Sequence, residues 1–180
     1  MKSQASIGCA LVASLLAVGC GKPQPPPPPD PRAQSLSSKP GEFASEFIRA
    51  SPYSSLGVEV NYAAGFTPNL ELQKKVFSTV IAEVLDKPQG TQFFAKEIAI
   101  AQGSGLEANH AYTLEEVKAL EERYRQRYKN PDDGTAVIHI LVLNGRYAAD
   151  TALQKTLALA YRGSSVVMFQ ETLNSACDPQ

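Results

Sequence analysis

The sequence predicts an α/β domain, a three-layer-like sandwich on a mixed, mostly parallel sheet that closes with a C-terminal antiparallel hairpin. Three observations carry this. Leu56, Val58, Val60 and Tyr62 recur at every second residue, the period of a strand. Leu72, Val76, Val80 and Val84 recur at every fourth, widened by Phe77 and Ile81 into a helical stripe. Ala136 to Leu143 is an apolar run broken only by His139, as expected of a central strand covered on both faces.

The elements follow in order. Phe43, Phe47 and Ile48 make a short amphipathic piece over residues 42–50 that packs on the domain or covers an edge. After the first strand, Thr67 and Pro68 supply an N-cap and a first-turn proline for the first long helix, which Asp86 to Gly90 stops. A connection containing Phe93 and Phe94 leads to a second strand over Glu97–Ala101, with Ile98 and Ile100 alternating against alanines. Thr113 and Glu116 then form a capping box, and Tyr112 and Val117 occupy the staple positions of a helix with Leu114, Val117, Leu120, Tyr124 and Tyr128 on its buried stripe. Acidic residues fill its first half and Arg123, Arg125, Arg127 and Lys129 its second, which complements the helix dipole. The same basic half with its tyrosines could suggest RNA, but no other basic surface supports that. Asn130 to Gly134 is a turn, and Leu157 to Tyr161, the turn Arg162-Gly163-Ser164 and Val166 to Phe169 form the hairpin.

The N-terminus carries an address. Lys2, an apolar stretch from Ile7 to Val18 and Ala17-Val18-Gly19-Cys20 look like a bacterial lipobox, in which the new N-terminal cysteine takes a diacylglyceryl group. About twelve apolar residues are too few to span a membrane, which needs roughly twenty. An ordinary secretory signal containing a cysteine is the alternative. Residues 1–19 therefore read as signal peptide, Cys20 as the lipidation site, and residues 20–41, with the run Pro25 to Pro29, as a tether. At about 3.1 Å per residue in polyproline II, Pro23 to Pro31 would span roughly 28 Å. Gly21 after the cysteine favours the outer membrane, so the expected location is the cell envelope, in the outer membrane or facing the periplasm.

Residues 42–180 are the size of one domain. The formal charge of the 180-residue chain is −1, so nothing suggests nucleic acid as a partner; the expected partner is the membrane, through Cys20. Of three cysteines, removal of Cys9 and lipidation of Cys20 leave Cys177 unpaired.

The inventory for chemistry is thin. Gly103-Ser104-Gly105-Leu106-Glu107-Ala108 has dinucleotide-loop spacing, but Asn109, His110 and Ala111 separate it from the next helix, so no helix N-terminus faces a phosphate. His110 reads as a solvated loop residue and His139 as a satisfied core histidine; they cannot form a helical zinc pair. No serine is marked as activated. Residue spacing yields no catalytic residue, no metal ligand and no cofactor.

The ordering of motifs resembles a family. Thr67-Pro68, Tyr112-Thr113-Leu114-Glu115-Glu116 with Arg123-Tyr124-Arg125, the strand 136–143 running into Asn144-Gly145-Arg146-Tyr147, and Leu159-Ala160-Tyr161 before Ser164-Ser165-Val166-Val167-Met168-Phe169 together resemble bacterial lipoprotein metalloproteases of the zincin, metzincin-like type. The resemblance implies a zincin-like N-terminal subdomain ordered strand, helix, strand, helix, strand, antiparallel edge strand, strand, catalytic helix. It also implies zinc on an H-E-x-x-H helix in a full-length member, and an edge strand, here Leu157, Ala158, Leu159, Ala160 and Tyr161, that aligns a peptide or protein substrate. No residue is carried over as zinc ligand or general base. Two expectations result. One is the N-terminal part of a tethered zinc protease, incomplete at its C-terminus and inactive as written; the other is a complete, non-catalytic envelope lipoprotein that binds through the sheet edge.

Overall fold

A computed structural model describes Leu36 and residues 39–64, 70–98 and 109–177. Cys20, the proline run, Thr67-Pro68 and the 103–108 loop lie outside the described residues. The order is α1 (Ala44–Ile48), β1 (Ser55–Ala63), α2 (Leu70–Val84), β2 (Thr91–Ile98), β3 (Ala111–Tyr112), α3 (Leu114–Tyr124), β4 (Thr135–Leu143), β5 (Arg146–Tyr147), β6 (Ala158–Arg162), β7 (Ser165–Phe169) and α4 (Gln170–Cys177). Five strands form a mixed, mostly parallel sheet in the order β2-β1-β4-β7-β6, in which only β6 runs antiparallel. The domain is α/β, with the expected hairpin as its last two strands.

Strand alternation divides the core in two. Leu56, Val58 and Val60 of β1 and Ala136 and Val142 of β4 point to one face, joined by Phe47 of α1 and Phe93 of β2. Leu141 and Leu143 of β4 and Val167 and Phe169 of β7 point to the other, where they meet Val117 and Leu120 of α3. Each fully buried side chain of this kind contributes about 1.5–3 kcal/mol, so the α3 face and its opposite both hold the sheet.

The capping box of α3 forms as its sequence requires. Glu116 N–H donates to Thr113 Oγ1 at 3.3 Å and Thr113 N–H donates to Glu116 Oε2 at 2.7 Å, with Tyr112 and Val117 buried beside it. The helix ends at Tyr124, so Tyr128 is not part of its stripe. It ends there because the Glu59 carboxylate accepts the next two N–H groups, from Gln126 at 2.9 Å and Arg127 at 2.7 Å, which an extra helical turn would have used. The turn at 130–135 closes through reciprocal Asn130 and Thr135 backbone bonds, with Gly134 at φ +66°, where a side chain would be strained.

Several expectations are corrected. The second strand is Thr91–Ile98, so Phe93 and Phe94 lie within it rather than in a connection; as an edge strand it carries Gln92, Lys96 and Glu97 exposed and loses the clean period of a buried strand. Leu72, Val76 and Val84, expected in the buried stripe of α2, are exposed. That helix lies beside edge strand β2, with a gap of about 450 Å³ between them bounded by Glu71, Lys74, Ser78, Thr91 and Phe93. Ile48 is likewise exposed, because α1 packs through Phe47. Residues 170–177, to which no element was assigned, form α4 directly after β7.

Candidate functional site

Edge strand β6 is the accessible element among those expected to act. Phe169 N–H donates to the Leu157 carbonyl at 3.0 Å, and antiparallel pairing alternates, so Leu159 also directs its backbone toward β7. The N–H and C=O groups of Ala158 and Ala160 therefore point away from the sheet, and no described strand pairs with them. Both alanines are exposed and small, leaving room for a second backbone. The five residues expected along this edge do not act alike. Leu157 lies just outside the strand and is half-exposed, Leu159 packs against the α3-side core, and Tyr161 is buried rather than presented to a substrate.

The inner end of β6 is clamped from below by charge. Glu121 of α3 is fully buried and accepts from Arg125 Nη1 at 2.8 Å and from the Ser165 hydroxyl at 2.5 Å, while Arg162 Nε of β6 lies 3.2 Å from its other oxygen. Arg162 Nη2 also donates to Glu122 at 2.6 Å, and Arg125 reaches Ser164 and Ser165 at 3.1 Å each. Arg125 and the serine hydroxyl hydrogen-bond one carboxylate oxygen, while the other is offset by the Arg162 charge without a hydrogen bond. The Tyr161 hydroxyl sits in the same field, and burial together with the Glu121 carboxylate pushes its pKa far up.

His139 pairs across the sheet with Glu59 on one side and Ser165 on the other, so all three face α3. Its Nε2 is 2.9 Å from Asn61 Oδ1, and its Nδ1 is 3.8 Å from Glu121 without a hydrogen-bond partner, so the core histidine is satisfied at one nitrogen. Burial and the nearby Arg125 charge push its pKa down to about 3, which keeps the ring neutral. Burial raises the Glu59 carboxyl, against the two backbone N–H donors and the Arg125 and Arg127 charges that lower it. Glu59, Asn61, Glu121, Arg125 and His139 are all buried, and together they fix α3 and the hairpin to the sheet.

His110 is not a loose surface residue. Its Nε2 lies 3.1 Å from Glu116 Oε1 and its ring packs edge-on to Tyr112 at 4.6 Å, so it extends the capping box. The Thr113 N–H and hydroxyl hold Glu116 below the usual carboxylate range. The charge order of α3 also has a different cause from the one expected. Arg125 and Lys129 are buried on ion pairs, and Arg127 lies over the Phe94 ring at 3.3 Å, so these bases are tied into the fold rather than arrayed along a dipole. Cys177 is exposed and makes no disulfide.

No family model, curated protein or solved structure matches this chain.

The residues that sequence reasoning missed are Glu59, Asn61, Glu121, Arg125 and Arg162. A signal for them was present: Glu121 and Arg125 are spaced i,i+4, and Glu59 and Asn61 place polar groups on the second face of β1, which a strand between two neighbours must bury.

Proposed function

We propose that this protein is a lipid-anchored module of the cell envelope that captures an extended peptide along β6, on a zincin-like scaffold that does not perform zinc-dependent hydrolysis as written. The observation that carries the peptide reading is the outward backbone of Ala158 and Ala160 on an antiparallel edge strand. Strand addition gives affinity through such groups without a deep pocket.

The zincin-like part of the proposal is supported by element order. Leaving aside α1 and the small β3-β5 sheet, a strand, helix, strand, helix, strand, antiparallel edge strand, strand and helix come in the order the resemblance implies, with β6 beside β7 and α4 leaving β7 at once. The first residues of α4 are Gln170-Glu171-Thr172-Leu173-Asn174, so a glutamate stands second and amides stand where an H-E-x-x-H helix carries imidazoles. Those donors do not fit zinc: neutral amides are poor ligands for an ion that takes imidazole, thiolate or carboxylate, and Glu171 is engaged by Arg146 at 3.2 Å. Among the described residues no group of three histidine, cysteine or acidic side chains converges. The catalytic step of a zinc protease is therefore not assigned to this chain.

Cys20 and the proline run support anchoring, with the domain held off the bilayer. The test uses the full lipidated chain in detergent micelles and fluorescent seven-residue peptides of alternating threonine and lysine. Binding is expected to fall at least about tenfold in Ala158→Pro/Ala160→Pro, since proline deletes the outward N–H groups yet is tolerated on an edge strand. Equal binding by that variant would overturn the edge reading, and loss of labelled-palmitate incorporation in Cys20→Ser checks the anchor.

A further inference from the structure

We infer that α1 and the hairpin form a specificity pocket beside β6, which accepts one apolar side chain, of leucine or phenylalanine size, from a peptide added to that edge. The inference rests on the edge reading above and names what the edge prefers.

A groove of about 200 Å³ lies between α1 and the sheet, lined by Gly41, Ala44 and Phe47 on one side and Ile138, Ala160 and Val166 on the other. Its walls are almost entirely hydrocarbon. A dry apolar cavity of about 150 Å³ accepts benzene, so this volume suits a single aliphatic or phenyl group. Arg162, Ser164 and Ser165 also border it, but Arg162 is engaged by Glu121, Glu122 and the Leu36 carbonyl and the serines by Arg125, so a charged side chain entering the groove would lose hydration without full compensation.

Register decides which residue enters. The Ala160 side chain pairs opposite Val166 and lies on the same face as the groove, whereas Leu159 and Tyr161 belong to the α3 side. Cross-strand neighbours share a face, so a strand laid along β6 would direct the residue paired with Ala160 into the groove. The residue paired with Ala158 would share that face, but Ala158 is not part of the wall.

The pocket is held open by four independent contacts on the α1 segment. Lys87 Nζ donates to the carbonyls of Glu46 and Arg49 at 2.6 Å and of Tyr53 at 2.5 Å. Lys129 donates to Glu46 at 2.9 Å and lies 3.7 Å from the Phe43 ring centre. The Phe43 ring rests on Gly163, where a Cβ would come within 2.5 Å of it. Arg162 Nη1 donates to the Leu36 carbonyl at 3.2 Å, bringing the chain alongside the end of β6. A preformed wall binds without a further ordering cost.

The experiment measures fluorescence anisotropy of the full chain in micelles with the threonine–lysine host peptide bearing one central guest residue. Leucine and phenylalanine guests are expected to bind at least about tenfold tighter than alanine or aspartate guests, as burial of three or more methylene-sized groups allows. Ala44→Leu and Ala44→Phe, at an exposed position of α1, fill the groove from above and should each abolish this preference while the alanine guest still binds. Equal binding of all guests by the wild type, or a preference that survives both variants, overturns the pocket and leaves the edge intact. Binding that is unchanged in Ala158→Pro/Ala160→Pro overturns the edge reading and the pocket with it.

Discussion

Glu121 of α3 and Arg125, the residue that caps its C-terminus, sit four residues apart and form a 2.8 Å ion pair in which neither side chain is exposed to solvent. Surface i,i+4 pairs contribute a few tenths of a kcal/mol, but this one is buried against β7 and β6, where either charge alone has nowhere to go. Arg125→Met is therefore expected to lower stability in urea unfolding, by less than the roughly 3–5 kcal/mol of a fully orphaned buried charge, because Arg162 still lies 3.2 Å from Glu121. Glu121→Met/Arg125→Met should cost less than the two single substitutions added together. Strict additivity would show that the two charges do not act as a pair.

The buried imidazole of His139 makes stability fall in acid. Its pKa is about 3 in the folded chain, held down by burial and by Arg125, against 6.5 for a free histidine. Between those values the unfolded chain binds one proton more, so lowering the pH favours unfolding; the contribution is complete above pH 6.5 and is lost as pH falls toward 3. Between pH 7.5 and 5 the wild type should lose about 2 kcal/mol from this source, a slope absent in His139→Gln. Glu59, whose carboxyl is raised by burial, acts in the opposite direction and is common to both proteins, so the difference between their pH profiles reports His139. Parallel profiles would mean that the ring titrates normally.

Gly145 is required by a close approach of two backbones. Parallel pairing of β3 with β5 brings the His110 carbonyl over it, where it accepts from Arg146 N–H at 3.0 Å, and a Cβ at position 145 would overlap that carbonyl and come within 2.8 Å of the Tyr112 ring. The obstacle is backbone, which cannot rotate aside. Gly145→Ala is expected to cost about 2 kcal/mol or more, in the range of overpacking, and to raise amide exchange across residues 109–113 and 146–148. Wild-type stability in this variant would show that β3 and β5 can separate without consequence.

How far the sequence discloses this fold depends on what each strand must bury. β1 and β4 could be read because one period, or one apolar run broken only by His139, followed from their central position. The hairpin could be read because Arg162-Gly163-Ser164 left little else for two short apolar segments to do, and the α3 start because its cap is made by residues three apart. β2 was hidden by its place at the edge, where exposed Gln92, Lys96 and Glu97 break the alternation. The candidate site was half legible. Leu157 to Tyr161 pointed to an edge strand, yet which residues turn outward depends on pairing with β7 and on the bulge between Ala160 and Arg162, neither of which is local in sequence. The charges around Glu121 were misread for the same reason: a helix taken alone gives no sign that Ser165, 44 residues away, will donate to its acidic side chain.

The α1 segment should loosen in a graded way when its fastenings are removed. Its five-residue helix has no buried residue of its own, and its carbonyls lack a following turn to satisfy them. Lys87 takes that role by donating to three carbonyls at 2.5 to 2.6 Å from a side chain that is itself buried. Lys87→Met keeps the hydrocarbon length and deletes the donors, so exchange over residues 44–50 in the full chain should rise by about tenfold or more, the effect of losing even one charge-assisted bond of 1.5–3 kcal/mol. Gly163→Ala attacks the same segment from the hairpin side, displacing the Phe43 ring, and should raise exchange at residues 42–46 without disturbing the sheet. Because the segment forms a wall of the groove but donates nothing to the β6 backbone, both variants should weaken the leucine-guest preference and leave alanine-guest binding unchanged. Parallel loss of both would mean that α1 supports the edge strand itself.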